Sequence, residues 1–453
     1  MPQRMAEAEP PSDRDYAYYG AVDEVYNAHW AARRLRRLDV LADAVRGEWT
    51  NGHPTKLVLV AGTSGKGSVC RYLEAGLAAA GSTGSYTNPH VWDFRERFSV
   101  GGEEVGREEV VEAWESRVRQ VCVRVADLAP EITLGPHEIC VLLALVLFER
   151  RAVEWGAMEV SLGGRYDAVN ALDAVATVMT NVGADHAFAL GDEVWQRALE
   201  KAGIFRPGVP AFTAASDAEA RRVLAATCAR LPTELVTVEG ADRERMEALI
   251  ADAFPDGMPP DALLQGDHQI WNAALARAVV QGLAPQVDDA DLVRSLASAR
   301  LRARFEMVEP GVYVDVAHNA DKAAALLAVL DRRVPARGRT ILVVGVSGER
   351  SPREVLEPIL AVADEVIVTS SAFKGIDPET VAADIGTGPH GRPVTVVPDA
   401  AEALAEARRR RSGPDDVVLV TGSTYVIDQA LNPDPYMKRL NAASDWRVRT
   451  LPR

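Results

Sequence analysis

The chain has 453 residues, 65 of them acidic and 50 basic, for a formal net charge of −15. That length is too great for one ordinary core and predicts two or three domains. No long basic run offsets the acidity, which speaks against nucleic acid as a partner, because phosphate-backbone binding needs a concentrated positive face.

The opening residues are acidic and proline-containing and lack the apolar centre of a signal peptide, so 1–20 read as a disordered segment. From Val22 to Val45 apolar residues recur at helical spacing (Trp30, Leu35, Leu38, Leu41). Arg33, Arg34, Arg36 and Arg37 on this stretch read as a solvated helix face. Leu57–Val60 is a short apolar run that enters a glycine loop, and helical character resumes from Gly67 to Ala80. Further buried strands are predicted at Ser82–Tyr86, Ala157–Val160, Val175–Thr180 and Pro210–Thr213. Helical patterns at Glu138–Arg150 and Glu193–Ala202 separate them, and Gln269–Gly282 reads as a closing helix. Strands alternating with helices imply a mostly parallel sheet.

The polar, Arg-rich stretch Ser298–Arg304 marks the expected boundary, giving domains 21–300 and 301–453. A second series follows, with strands at Val312–Val316, Thr340–Val344, Glu365–Thr369, Val394–Val397 and Val417–Thr421. Its helices are expected at Lys322–Arg332, Ala400–Arg410 and Tyr425–Ala430, with Arg408–Arg411 complementing a helix C-terminus. Cys70, Cys122, Cys140 and Cys228 form no Cys-x-x-Cys pair, which argues against a zinc knuckle or disulfide framework and fits a reducing cytoplasm. No apolar stretch approaches the length of a membrane span, so no membrane partner is expected.

Gly62-Thr63-Ser64-Gly65-Lys66-Gly67-Ser68 lies between a predicted strand and a predicted helix. Glycines let backbone N–H groups approach phosphate oxygens, and the helix N-terminus favours negative charge. Lys66 is placed to neutralise the β/γ-phosphates and Ser68 to offer its hydroxyl to Mg²⁺. The loop departs from a strict Walker A: Val60 occupies the first glycine position, and Gly67 separates the lysine from the serine.

Glu159 is the one acid at the end of an apolar strand, costly to bury unless paired with a cation. It is therefore a candidate Mg²⁺ ligand, with a solvated strand-end glutamate as the alternative. His186 follows another apolar strand and is either a metal or phosphate ligand or a structural histidine. Lys201 ends a helix and is either a site residue or a complement to the helix dipole.

Together these stretches resemble the Mur ligase family, most closely its folylpolyglutamate and dihydrofolate synthase branch. The matching segments are AGTSGKGS (61–68), EVSLGGRYDAVN (159–170), TNVGADH (180–186), LGDEVWQRALEKAGIFRPGVP (190–210), DHQIWNAA (267–274) and DVAHNADKAAAL (315–326). Tyr86-Thr87-Asn88-Pro89-His90, Glu96-Arg97 and Gly422-Ser423-Thr424-Tyr425 are similar to further family motifs on the substrate side.

The resemblance implies an α/β fold: a P-loop NTPase-like central domain with a parallel sheet and a C-terminal Rossmann-like α/β domain. It implies an ATP-dependent ligase that forms an acyl phosphate and joins L-glutamate to a pteroate or folate carboxylate. It implies Ser68 and Glu159 as ligands of one Mg²⁺, His186 as ligand of a second, and a carbamylated Lys201. Lys66, Lys201, His186 and His318 are then the catalytic set. Gln269 and Asn272 contact the nucleotide near its adenine, Arg304 binds phosphate, and Asp315 and His318 act on the nucleotide or amino-acid side. Asn88, His90, Arg97, Asp167, Ser423 and Tyr425 face the substrates, Arg97 as a bidentate carboxylate clamp. A cytoplasmic monomer is expected.

Three positions depart from the family pattern: Asn88 where Ser is common, Ala320 where Pro is usual, and Gly348-Glu349-Arg350-Ser351 in place of an Asp-Lys-Asp stretch. They leave two alternatives, a related ligase acting on another carboxylate and a nucleotide-binding protein without ligase activity. The intact Lys66, Ser68, Glu159, His186 and Lys201 set speaks against the second.

Overall fold

Leu57–Val60 sits within β1 (Lys56–Ala61), five of whose six residues are buried. Its side chains divide between two cores. Leu57, Leu59 and Ala61 enter one, beneath the helix Pro136–Arg150, and Val58 and Val60 enter the other, beneath Lys66–Leu77 and Asp267–Leu283. A strand covered on both faces needs apolar residues at every position, which is why β1 reads as a continuous run. In a computed structural model, residues 38–443 are described, except 131, 133, 184–189, 260–261, 349–350, 389–390 and 392–393. His186, Arg33 to Arg37, the expected segment 1–20, the start of the first helix and Glu349-Arg350 therefore lie outside the described residues.

The remaining strands of the first sheet are β2 (Thr83–Tyr86), β3 (Phe98–Val100), β4 (Glu103–Glu104), β5 (Trp155–Glu159), β6 (Ala176–Met179), β7 (Ala211–Thr213) and β8 (Leu235–Thr237). The order is β4-β3-β2-β5-β1-β6-β7-β8, parallel except at β3 and β4. Val60 pairs with Glu159 and Ala61 with Met179, so the glycine loop emerges between the ends of β5 and β6. Open parallel sheets bind ligands at these carboxyl ends.

The second sheet contains β9 (Glu306–Glu309), β10 (Val312–Val314), β11 (Thr340–Val344), β12 (Glu365–Ser370), β13 (Thr395–Asp399) and β14 (Val417–Thr421). Its order is β13-β12-β11-β14-β10-β9, with β9 alone antiparallel. Cores on both faces again cover the central strands. The α/β architecture is as the sequence implies. The strands it does not disclose are the short or polar ones, β3, β4, β8 and β9: β3 is three residues long, and the others are partly exposed and carry no apolar run of strand length. No helix among the described residues is long and apolar enough to cross a membrane.

One buried charge network ties the glycine-loop helix to the neighbouring strands. Arg71 donates to Glu74 (3.2 Å), Ser85 Oγ (3.1 Å) and the Glu96 carbonyl (2.8 Å). Glu74 also accepts from Ser85 Oγ (2.6 Å), Ser99 Oγ (2.7 Å) and Gly102 N (2.9 Å). Both side chains are buried, so removing the arginine would strand a carboxylate away from water. Arg71→Met should lower unfolding stability by about 3–5 kcal/mol in a denaturant titration. Arg46→Met, which breaks an exposed pair with Asp43, should cost no more than about 1 kcal/mol. Equal effects from the two substitutions would contradict this assignment.

Candidate active site

The glycine loop is shaped by what crowds it. Gly62 has φ +146°, and a Cβ there would lie 1.8 Å from Thr180 Oγ1; Gly65 has φ +81°, and a Cβ would lie 2.4 Å from Asn272 Oδ1. Both conformations suit glycine alone. The end of β6 holds the loop in place. Asn181 Oδ1 accepts from Thr63 N (3.1 Å) and Ser64 N (2.9 Å), and Thr180 Oγ1 donates to the Ser64 carbonyl (2.6 Å). Lys66 Nζ donates back to the Gly62 carbonyl (3.2 Å), as does buried Lys201 Nζ (3.2 Å). Two ammonium groups thus converge on one carbonyl at the start of the loop.

Ser68 is buried on the first turn of the helix Lys66–Leu77 and accepts from Gln269 Nε2 (3.2 Å). Gln269 Oε1 in turn accepts from Tyr72 Oη (3.1 Å) and Asn272 Nδ2 (3.1 Å). Gln269 and Asn272 therefore sit directly against the loop and its helix. Glu159 lies on the loop's other side, with Oε2 accepting from Asn88 N (2.9 Å) and reaching to 3.1 Å from where a Gly67 Cβ would be. Burial raises its pKa, while Lys66, the Asn88 N–H, Arg304 and Arg71 pull the other way.

Among the described residues, no group of three or more His, Cys, Asp or Glu side chains forms a ready metal nest. A buried carboxylate and a serine hydroxyl offered by the same loop and its neighbouring strand are oxygen donors of the kind Mg²⁺ takes, with waters and substrate phosphates supplying the rest.

Arg304, beyond the first sheet, interacts electrostatically with Asp315 and Glu159; burial lowers its pKa and these two carboxylates oppose the fall. Its flanking residues Ala303 (φ +51°) and Phe305 (φ +49°) are left-handed without being glycine, a strained arrangement. The neighbours that impose it are visible. Asp315 accepts from Phe305 N (2.9 Å) and Ala317 N (2.8 Å), Glu306 accepts from Ala303 N (2.7 Å), and the Phe305 and Tyr313 rings stack at 4.8 Å. His318 Nδ1 lies 2.7 Å from the Val316 carbonyl and Nε2 lies 2.8 Å from Lys322 Nζ. A carbonyl on one side and an ammonium on the other fix a neutral imidazole protonated at Nδ1.

On the far side of Glu159, Asn88 Nδ2 donates to Ser161 Oγ (2.8 Å), and Asn88 Oδ1 accepts from Arg97. Arg97 Nε donates to His90 Nδ1 (3.0 Å), and its guanidinium lies over the Phe94 ring. The expected bidentate clamp is thus engaged by its own loop. Asp167 is buried, with its oxygens accepting from Ser161 N, Leu162 N and Val169 N (3.0, 3.1 and 3.0 Å) and facing His137 Nε2 (3.0 Å). Burial would raise its pKa, but His137 and these N–H groups hold it below the ordinary value. Ser423 Oγ is 2.7 Å from Ser347 Oγ and caps its helix by accepting from Tyr425 N (3.2 Å). The Tyr425 ring meets Phe373 edge to face at 4.9 Å. Ser423 and Tyr425 thus gather at the ends of β11 and β14. Sequence reasoning missed Thr180, Asn181 and Lys322, although all three lie inside segments that carry the resemblance.

A glycine loop at the carboxyl end of a doubly covered, mostly parallel sheet, joined to a second α/β module, is a nucleotide-binding type of architecture. The sequence profile described as Mur ligase, glutamate ligase domain, matches residues 303–424. A dihydrofolate synthase/folylpolyglutamate synthase of Escherichia coli (strain K12) is 31% identical over 381 residues, covering 81% of this chain and 84% of that protein. A probable bifunctional folylpolyglutamate synthase/dihydropteroate synthase of Haloferax volcanii is 32% identical over 387 residues, covering 82% of this chain. This chain spans only 45% of that relative's length. The solved bifunctional folylpolyglutamate synthase/dihydrofolate synthase of Yersinia pestis, complexed with AMPPNP and Mn ion, superposes with TM-score 0.75 at 26% identity. That match covers 90% of this chain and 96% of the other. The chain belongs to the folylpolyglutamate synthase/dihydrofolate synthase family of Mur ligases.

His90 makes the site's stability depend on pH. Burial and Arg97 lower its pKa from 6.5 to about 3. Between those values the unfolded chain binds a proton that the folded chain does not. The contribution is complete above pH 6.5 and is lost as pH falls toward 3. Glu96 and Asp428, raised by burial to about 6, act in the opposite sense, contributing below the ordinary carboxylate range and losing it as pH rises through 6. His90→Asn should therefore flatten the fall in urea midpoint between pH 7 and 4.5. An unchanged slope would contradict a buried neutral His90.

Proposed function

We propose that the protein is an ATP-dependent ligase that activates a substrate carboxylate as an acyl phosphate and joins L-glutamate to it, with dihydropteroate or a folate as the acceptor. The observation that carries this reading is Arg304, from beside the second sheet, within electrostatic reach of Glu159 at the glycine loop. It brings a cation from the second module to the place where a phosphoryl group would sit.

In the first step a carboxylate oxygen of the acceptor attacks the γ-phosphorus of ATP, and the bond to the β–γ bridging oxygen breaks. Lys66, Arg304 and the loop N–H groups neutralise the charge on the moving phosphoryl group. Mg²⁺, held by Ser68 and Glu159 and in a second position by His186, would add positive charge there. In the second step the glutamate amine attacks the acyl carbon, the carbon–oxygen bond to phosphate breaks, and the nitrogen passes its proton to the departing phosphate as the amide forms. Neutral His318 keeps Nε2 against Lys322, so Lys322 completes the polar edge next to Asp315. Ser423 and Tyr425 take the glutamate side; Ser423 lies inside the segment that matches the glutamate ligase domain, and Tyr425 directly follows it.

Carbamylation would turn Lys201 from cation to anion while keeping an N–H for the Gly62 carbonyl, and would relieve the meeting of two ammonium groups there. Asp167 acts as a positioning residue for the 161–169 turn. Gln269 and Asn272 shape the nucleotide side. The four free cysteines support a reducing, cytoplasmic setting, and we take the protein as a monomer.

One observation favours a second reading, a ligase for a different carboxylate. Arg97 is occupied by Asn88 and His90, so the acceptor pocket is not organised around a free arginine fork. Purified protein with ATP, Mg²⁺, glutamate and dihydropteroate or tetrahydrofolate should yield a product heavier by one glutamyl residue in mass spectrometry. Folded Lys66→Ala should yield none. Robust ligation of an unrelated carboxylate, with no folate product, would transfer the assignment to the second reading.

A further inference from the structure

The loop 88–97 is held from outside its own sheet, by the last two helices of the described chain, Thr424–Leu431 and Pro435–Asn441. Asn441 Nδ2 lies 3.0 Å from both Asp428 Oδ1 and the Trp92 carbonyl. Both neighbours can only accept, so the amide orientation is fixed and Oδ1 faces His90 Nε2 at 3.0 Å. His90 Nε2 must then carry the proton, which leaves Nδ1 to accept from Arg97 Nε (3.0 Å). Arg97 donates onward to Asn88 Oδ1, and Asn88 N donates to Glu159 (2.9 Å).

Donation diverges from Arg97: on one side Arg97 donates to His90, His90 to Asn441 and Asn441 to Asp428, and on the other Arg97 donates to Asn88 and Asn88 N to the candidate metal ligand. The inner members of this line are shielded from water: His90 is 9% exposed, Asn441 8% and Asp428 2%. Two parallel ties secure the same contact. Asn432 Nδ2 donates to the Trp92 carbonyl (3.0 Å), and Arg107 bridges Asp93 (3.0 Å) and Asp434 (2.7 Å).

We propose that Asn441 and Asp428 are positioning residues for acceptor recognition, setting Asn88 and Arg97 through His90. The proposal rests on the ligase reading above and deepens it. Both residues lie beyond the 303–424 segment that the domain profile matches. The physical reason is directional satisfaction. Without the Asn441 amide, the Asp428 carboxylate, the Trp92 carbonyl and the His90 N–H each lose a buried partner. His90 is then free to adopt its other tautomer, which would turn an N–H toward Arg97 and release its guanidinium. The line reaches Glu159 through the Asn88 backbone N–H, which no side-chain substitution removes. Its loss should therefore be felt by the acceptor before it is felt by ATP.

The test uses the full chain, with dihydropteroate and tetrahydrofolate as the acceptors. Asn441→Leu should raise the acceptor KM about tenfold or more by displacing the loop, with kcat and the ATP KM changed by no more than about twofold. The conservative Asn441→Gln keeps an amide oxygen for His90 and an amide N–H for Asp428 and the Trp92 carbonyl, and should lose less of the acceptor KM than Asn441→Leu. If Asn441→Leu does not fold, Asn441→Ser is judged by the same criterion. Acceptor, glutamate and ATP KM values rising together with a falling Tm would overturn the proposal, because that is what general loosening produces. So would a folded variant with unchanged acceptor KM, or Asn441→Gln no better than Asn441→Leu. A wild-type chain that ligates neither acceptor would be seen before any variant is made and would sink the parent reading, and this inference with it.

Discussion

A buried carboxylate at the end of a central strand cannot stand alone, and the arrangement around Glu159 follows from that requirement. Leaving such a group charged in an apolar setting costs several kcal/mol unless cations and N–H groups face it. Lys66 approaches from the glycine loop, the Asn88 N–H from the end of β2, Arg71 from the next helix, and Arg304 from beside the second sheet. The register that sets Glu159 beside Val60 is what makes these four approaches possible. Even so, burial still dominates, and the carboxyl's pKa remains raised. A site with this surplus of desolvation is suited to take a further cation together with a phosphate.

The same requirement explains why two modules are needed. One sheet supplies the phosphate loop and the carboxylate. The Ala303–Phe305 turn supplies Arg304, in a left-handed backbone that only the contacts to Glu306, Asp315 and Tyr313 can hold. Strain of this kind is retained where the surroundings over-determine it, and here they include the first residues of the DVAHN segment. The second module thus brings a cation to Glu159 at the glycine loop and also bears Ser423 and Tyr425.

Much of this was legible in the sequence, and for local reasons. β1, β11 and β14 are continuous apolar runs because both their faces are covered, and the glycine loop stands out because Gly62 and Gly65 have no room for a Cβ. What was hidden depends on distant partners. Arg97 reads as a free carboxylate clamp until Asn88 and His90 are seen to occupy it. His90 meets Asn441, 351 residues away, and no periodicity or motif spacing announces such a contact. Asp167 reads as a substrate residue because it lies in a family segment, yet its oxygens face three backbone N–H groups and His137. The polar edge strands β4 and β9 carry no apolar pattern because much of their surface faces water.

Activation of a carboxylate by phosphorylation leaves a direct trace in its oxygen atoms. Oxygen transfer tests that directly. With both carboxylate oxygens of the acceptor labelled with ¹⁸O, attack on the γ-phosphorus and later expulsion of phosphate must carry one labelled oxygen from the acceptor to the released phosphate. Mass spectrometry of that phosphate should show one ¹⁸O for each amide bond formed. Amide formation accompanied by unlabelled phosphate would contradict the account, because ATP would then have been cleaved without passing its phosphoryl group through the acceptor.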